Sequence, residues 1–195
     1  MQEPYLNASF NHSDLWAMAI NGDHQAYGSL HAILFPVLHS YILKMVKDEA
    51  VADDILQDLF IKLWQNRVNI GPINHVKSYF FTTARSITFN YFRLKKFRND
   101  RLGKNLESEI PLSPEDILLN AEHDQALKYT MVKALNVLPA RQKEILHLKY
   151  YEEMDYRKIA QITGIQYQSV INHVFRALQL LRLSFKLSEE DIFLN

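Results

Sequence analysis

Three groups of side chains in this 195-residue chain have types and spacings that could do chemistry. The first lies in AVADDILQDLFIKLW, residues 50–64. Asp53, Asp54, Gln57 and Asp58 stand there among Ile55, Leu56, Leu59, Phe60 and Leu63, whose spacing is helical. Grouped carboxylates can hold a divalent cation, but this stretch has neither the loop nor the glycine of a calcium site. Its other uses are a solvated face, with Asp58 paired to Lys62 at i, i+4, or a face turned toward a partner.

The second group is VKSYFFTTARSITFNYFRLKK, residues 76–96. Seven basic residues fall between Arg85 and Lys104, against one acid, Asp100. Val76, Phe80, Ala84, Ile87, Tyr91 and Leu94 make one apolar stripe at helical spacing. Beside it run Lys77, Phe81, Arg85, Thr88, Phe92 and Lys96. Cations alternating with rings suit a nucleic acid: the cations meet phosphates and the rings stack on unpaired bases. The same rings could instead widen the core face under Lys and Arg stems. The third group is MDYRKIAQITGIQYQSVINHVFRALQLLR, residues 154–182. Ile159, Ala160 and Ile162, then Gly164 at a turn, Ile165, and Val170, Val174 and Leu178 have the offsets of a helix-turn-helix. Gln166, Tyr167, Gln168, Ser169, Asn172 and His173 would lead its second helix into a DNA major groove, with Arg176 further along. Gln and Asn are bidentate partners for adenine.

Other chemistries find no support. There is no cysteine, which removes disulfides, thiolate metal sites and thiol nucleophiles. No phosphate loop, nucleophile elbow or His-x-x-x-His is present, and the eight histidines are scattered. We expect no catalytic residue, no metal and no cofactor.

The elements that must position these groups are helices. Glycine and proline are scarce and no strand-like alternation occurs, so the fold class is all-α. Helical pattern runs over 14–34 with a break at Gly22-Asp23, from Pro36 to about Lys47, from about Ala50, and from about Val76 to Lys96. QNRVNIGPINH, residues 65–75, reads as a loop. NDRLGKNLESEIPLSPED, residues 99–116, is polar and holds two prolines, as a linker does. Pattern resumes near Ala121, breaks at Pro139, a good first residue for a helix, and continues in short helices to about Lys186. Two small helical domains joined by a flexible linker result. Lys plus Arg equals Asp plus Glu at 22 each, yet an acidic run (Glu107, Glu109, Glu115, Asp116, Glu122, Asp124) follows the basic one. Residues 1–13 show no signal-peptide pattern. HAILFPVLHSYIL, residues 31–43, is broken by Pro36 and His39 and falls short of a membrane span. A soluble, cytoplasmic protein without membrane insertion is expected.

In this order the three groups resemble the sigma-70 family of transcription initiation factors, in its extracytoplasmic-function (ECF) group. The family's core-binding segment, A-[DE]-D-x-x-Q-[DE]-x-F-x-x-x-W, stands here as Ala52, Asp53, Asp54, Gln57, Asp58, Phe60 and Trp64. Its promoter-opening helix, A-R-x(4)-[ND]-Y-x-R, stands as Ala84, Arg85, Asn90, Tyr91 and Arg93. Its C-terminal domain opening, L-P-x-[RQ]-[QR]-x-x-[IV], stands as Leu138, Pro139, Arg141, Gln142 and Ile145. The resemblance implies a region 2 domain over 14–98, a linker over 99–123 and a region 4 domain over 124–187, with tails at 1–13 and 188–195. It implies that Asp53, Asp54, Gln57, Asp58 and Phe60 bind core RNA polymerase, at the basic clamp helices of its large subunit. It implies that Asn69, Asn74, Lys77, Phe81, Arg85, Asn90, Phe92, Arg93 and Lys96 bind the −10 element and help open it, a flipped base entering the loop from Asn66 to His75. Gln166, Tyr167, Gln168, Ser169, Asn172, His173 and Arg176 would read the −35 element. Promoter DNA, core polymerase and an anti-sigma factor are the implied partners. The chain departs from the family pattern at Thr82, Ser86, Leu94, Ile171 and His173, which points to a promoter sequence unlike the commonest one. A helix-turn-helix regulator acting without core polymerase would use residues 139–185 but leave the other two groups without purpose.

Overall fold

The computed structural model describes residues 11–101 and 134–193. The described elements are helical and fall into two compact units. In the first, α1 (His12–Ile20), α2 (His24–Val46), α3 (Glu49–Ile70) and α4 (Val76–Arg101) pack together. In the second, α5 (Ala140–Leu146) leads into a π-helical turn (His147–Tyr151), and α6 (Tyr156–Thr163) and α7 (Tyr167–Phe193) follow. The expected linker, apart from 99–101 at the end of α4, lies outside the described residues, as do its acidic run and residues 1–10.

Short polar caps start the helices of the first unit. Asn11 accepts the Ser13 and Asp14 N–H groups at 2.8 and 3.0 Å, and Asp23 those of Gln25 and Ala26 at 2.9 and 3.0 Å. Asp48 accepts the Val51 N–H at 3.2 Å. Gly22, at φ +95°, makes the sharp turn between α1 and α2 that a side chain would resist.

The central helix of this unit is α2, which packs against α1, α3 and α4. The sequence was expected to break at Pro36, but Pro36 lies inside one continuous 23-residue helix. A proline costs the helix one N–H donor and crowds the carbonyl four residues back. The cost is offset by Leu30, Leu34, Leu38, Tyr41, Ile42 and Met45, all buried on one side. By length and composition α2 is therefore apolar enough to cross a membrane, contrary to the reading of residues 31–43 as too short. A bundle's central helix meets the same measure, and these six side chains are spent on the bundle core.

The rotation of α4 also differs from expectation. Val76, Phe80, Phe81, Ala84 and Thr88 are its buried side chains, with Ser78 beside them. Phe81 is fully buried, its ring centroid 5.1 Å from that of Tyr41 on α2. The core face thus runs between the two stripes read from the sequence and takes Phe81 and Thr88 from the second. Leu94, expected in the core, is exposed, because α4 outruns its neighbours after Thr88.

In the second unit α5 and α6 pack on α7, and Ile145, Leu148, Ile159, Ile162, Val170, Val174 and Ala177 are buried. Ala177 takes the inward position expected of Leu178, which is exposed. The last helix is a single one that continues to Phe193, past Lys186.

These burials make a direct expectation. Phe81→Ala should lower the stability of the full chain by about 3–5 kcal/mol, while Phe92→Ala, at a half-buried position, should cost about 1 kcal/mol or less. Urea unfolding followed by circular dichroism distinguishes them, and equal small losses would put Phe81 back on the surface.

Candidate functional sites

On α3 the inward arc is Ala52, Ile55, Leu56, Leu59, Phe60 and Leu63. The helical period then leaves Asp53, Asp54, Gln57 and Asp58 outward, and all four are exposed. Asp53 lies 3.2 Å from His39 Nε2 on α2, and Asp58 lies 3.2 Å from Lys62 Nζ at the expected i, i+4 spacing. No ion pair involving Asp54 is found among the described residues. Pairs this exposed are worth about 0–1 kcal/mol, so they are readily exchanged for a partner's charges.

Phe60 was expected on this docking face and is not there. It is 5% exposed, with ring centroids of His31, Tyr27 and Phe80 at 4.4, 6.2 and 5.7 Å. Its backbone carbonyl accepts the Tyr27 hydroxyl at 2.6 Å. Burial pushes the Tyr27 phenol above its ordinary range, so it stays a donor. The motif Phe therefore packs inward and helps set the helix's rotation. Ile61 was missed: it is 48% exposed, one turn beyond Gln57 on the outward arc, and Val68 is exposed two turns further on. Ile61 falls outside the apolar period read from the sequence and Val68 within the stretch read as a loop, so only the rotation and length of α3 reveal them.

On α4 the alternation of rings and cations exists in a different register from the one expected. Lys77 Nζ lies 5.9 Å from the centroid of buried Phe81, so this ring is closed to a nucleic base. Arg85 instead lies 4.1 Å over Phe89, a ring the sequence reading passed over. Further along, Phe92 and Tyr91 meet at 5.7 Å, and Lys95 lies 5.6 Å from Tyr91. Arg93 donates to Asn90 Oδ1 at 2.8 Å. Lys96, Leu94 and Phe97 are exposed. The second half of α4 is thus a ledge of cations and partly open rings beyond the bundle.

The expected Asn66–His75 loop is shorter. Helix α3 continues to Ile70, so Asn66 and Asn69 sit on its last turns, and Asn66 donates back to the Lys62 carbonyl at 2.9 Å. Only 71–75 is loop, and α1 ties it down. Trp16 Nε1 donates to the Gly71 carbonyl at 2.9 Å, and Ser13 Oγ to the Asn74 carbonyl at 3.3 Å. Gly71 has φ +70° and ψ −162°, which ends the helix where a side chain would be strained. Asn69 and Asn74 are both exposed.

In the second unit Gly164, left-handed at φ +68°, ends α6, and its N–H donates to the Ala160 carbonyl at 2.9 Å. Arg141 locks this turn from below. Its Nη2 donates to the Thr163 carbonyl at 2.7 Å and its Nη1 to fully buried Glu144 at 2.9 Å. Gln166, just before α7, and Tyr167, Gln168, Asn172 and Arg176 on its first turns are exposed, with Ser169 and His173 half-buried. Gln168 Nε2 reaches Asn172 Oδ1 at 3.4 Å. Phe175, which the sequence reading did not single out, is exposed on the same side. Burial, then the charges of Arg141 and Arg176, hold the His173 imidazole below its ordinary value.

Comparison with known proteins gives the family. Residues 32–98 match the family model of sigma-70 region 2, and residues 130–181 match that of sigma-70, region 4. ECF RNA polymerase sigma factor SigL of Mycobacterium tuberculosis is 28% identical over 151 residues, 77% of this chain and 83% of the relative. ECF RNA polymerase sigma factor SigM of Bacillus subtilis is 26% identical over 160 residues, 79% of this chain and 91% of the relative. Among solved structures, the sigma factor RpoE in complex with the anti-sigma factor NepR from Bartonella quintana shares the fold. Its TM-score is 0.61 at 23% identity, over 82% of this chain and 96% of that one. CnrH in complex with the cytosolic domain of CnrY gives a TM-score of 0.62 at 18% identity, over 91% of this chain and 99% of that one. The chain belongs to the ECF group of the sigma-70 family, non-enzymatic factors that bind core RNA polymerase and recognise promoters through regions 2 and 4.

Proposed function

We propose that the first unit docks on basic clamp helices of the polymerase large subunit through Asp53, Asp54, Gln57 and Asp58, with Ile61 as an apolar anchor among them. The observation that carries this reading is the division of α3: the motif's Ala52 and Phe60 are buried and Trp64 half-buried, while its acids and amide are exposed beside one open isoleucine, Ile61. An apolar side chain ringed by charge is the usual composition of an energetically important contact. The same unit would recognise the −10 element and open it. Lys77, Arg85, Arg93 and Lys96 would meet phosphates; Phe89 and Phe92 would stack on unpaired bases, with Asn90 beside them. Asn69, Asn74 and the anchored 71–75 loop would receive the flipped base. Flipping costs a few kcal/mol of stacking, and each aromatic stack returns roughly 1–3 kcal/mol. The second unit would hold the −35 element as duplex through α7. An anti-sigma partner is part of the proposal, supported by the structural neighbour RpoE, solved in complex with the anti-sigma factor NepR. So is residence in the cytoplasm, where the polymerase is.

Two outcomes test it. Asp54→Lys with Asp58→Lys should abolish binding to core polymerase while helicity stays near wild type; unchanged affinity in a surface-binding assay sinks the docking assignment. Phe89→Leu with Phe92→Leu should keep core binding but slow open-complex formation, most on linear promoters at low temperature. A promoter mismatched across the −10 region should rescue that variant. Permanganate reactivity of −10 thymines reads the opening, and wild-type reactivity on matched DNA would remove the rings from the mechanism.

A further inference from the structure

We infer that Lys62, on α3, binds a backbone phosphate of promoter DNA in the cleft between α3 and α4, and that its charge is shared between that phosphate and Asp58. The inference rests on the proposed docking of Asp58 on core polymerase. It adds a DNA contact outside α4 and ties that contact to the docking face.

The cleft is open, about 560 Å³ in volume, and lined by Lys62, Ser86, Ile87, Phe89, Asn90 and Arg93. Lys62 comes from α3 and the other five from α4. The lining holds two cations, a hydroxyl, an amide, an isoleucine and a ring, and no carboxylate. Each of the four polar groups can donate to a phosphate oxygen, the two cations most strongly. Asn90 Oδ1 is taken by Arg93 Nη2 at 2.8 Å, which leaves the Asn90 amide hydrogens for an acceptor. The occupant is a polyanion because Arg93 belongs both to the cleft and to the exposed ledge that continues with Lys95 and Lys96. A strand held along that ledge brings a neighbouring phosphate to the cleft.

Lys62 also borders the docking side. Its Nζ lies 3.2 Å from Asp58 Oδ2, with the lysine 55% and the aspartate 63% exposed. A carboxylate this close cancels much of the field that a phosphate would meet. Basic groups of the polymerase that draw Asp58 away return the full charge of Lys62 to the cleft. Coupling of this kind is reciprocal: a phosphate that engages Lys62 frees Asp58 for core polymerase by the same factor. The pair is exposed and therefore weak, so the factor is about two- to fivefold.

The test uses holoenzyme reconstituted from core polymerase and the full chain, on a fork promoter whose −10 region is single-stranded. Each backbone phosphate around that region is replaced in turn by a neutral methylphosphonate. One replacement should weaken wild-type binding severalfold and leave Lys62→Gln unaffected. Lys62→Gln should also lower the salt slope of binding by about one unit, and Lys62→Arg should restore both. Affinity of the factor for core is then measured with and without the fork. The gain that DNA gives should be about two- to fivefold smaller in Lys62→Gln than in wild type. An unchanged salt slope, with every phosphate still felt by Lys62→Gln, would overturn the inference and leave the docking reading intact. A lost phosphate with an equal gain from DNA would overturn the sharing with Asp58. Unchanged core affinity in Asp58→Asn would overturn the docking reading, and the phosphate contact would then stand on the methylphosphonate scan alone.

Discussion

Burial of Phe60 is the constraint on which the first unit depends. Its ring sits among Tyr27, His31, Phe35 and Phe80, and its carbonyl takes the Tyr27 hydroxyl, so α3 is pinned to α2 by packing and by a hydrogen bond at one residue. A helix turns roughly 100° per residue. Pinning one position therefore fixes the direction of every other. Asp53 comes to the border with α2, where it meets His39; Gln57, Ile61, Asp54 and Asp58 fan out across the far side. The direction of the exposed acidic face is a consequence of a core residue.

The same dependence runs through α4 and α7. Phe81 against Tyr41 turns α4 so that Phe89 and Phe92 lie toward the surface. Val170 and Val174 turn α7 so that the amides and Phe175 face out. In each helix the buried side chains choose which polar and aromatic groups remain available for work. Trp16 extends the principle to backbone: its indole holds the Gly71 carbonyl while its ring packs edge-on against Phe80, so the short loop is fixed by the same core as α4.

Much of this was legible in the sequence. The all-α class, the two units, the acidic outward face of α3 and the helix-turn-helix followed from period, caps and turn residues. What was not legible came from tertiary choice. Two adjacent stripes on α4 both carried aromatics, and the crossing of α4 over α2 selected a line between them. Phe60 was placed with the docking acids because a motif mixes residues that pack with residues that touch. Pro36 read as a break because local propensity argues so; six buried side chains on α2 outweigh one lost donor. Phe175 and Ile61 went unnoticed because neither falls on the apolar period read from the sequence, and their exposure shows only once the helix's rotation is known.

The polar groups divide by the same criterion. Arg141 is committed: it joins a fully buried carboxylate and the last carbonyl of α6, and removing it would take a charged partner from Glu144. It therefore belongs to the architecture that aims α7. Asp53 with His39 and Asp58 with Lys62 are held by partners that water could replace. Breaking either exposes nothing new, so a basic protein surface can take these carboxylates at small cost and return them on release. A factor that must bind core polymerase, open a promoter and then be displaced requires contacts of that kind. The acids of α3 have the exposure such contacts need because they lie outside the packed arc, whereas Glu144 of the second unit is buried against Arg141.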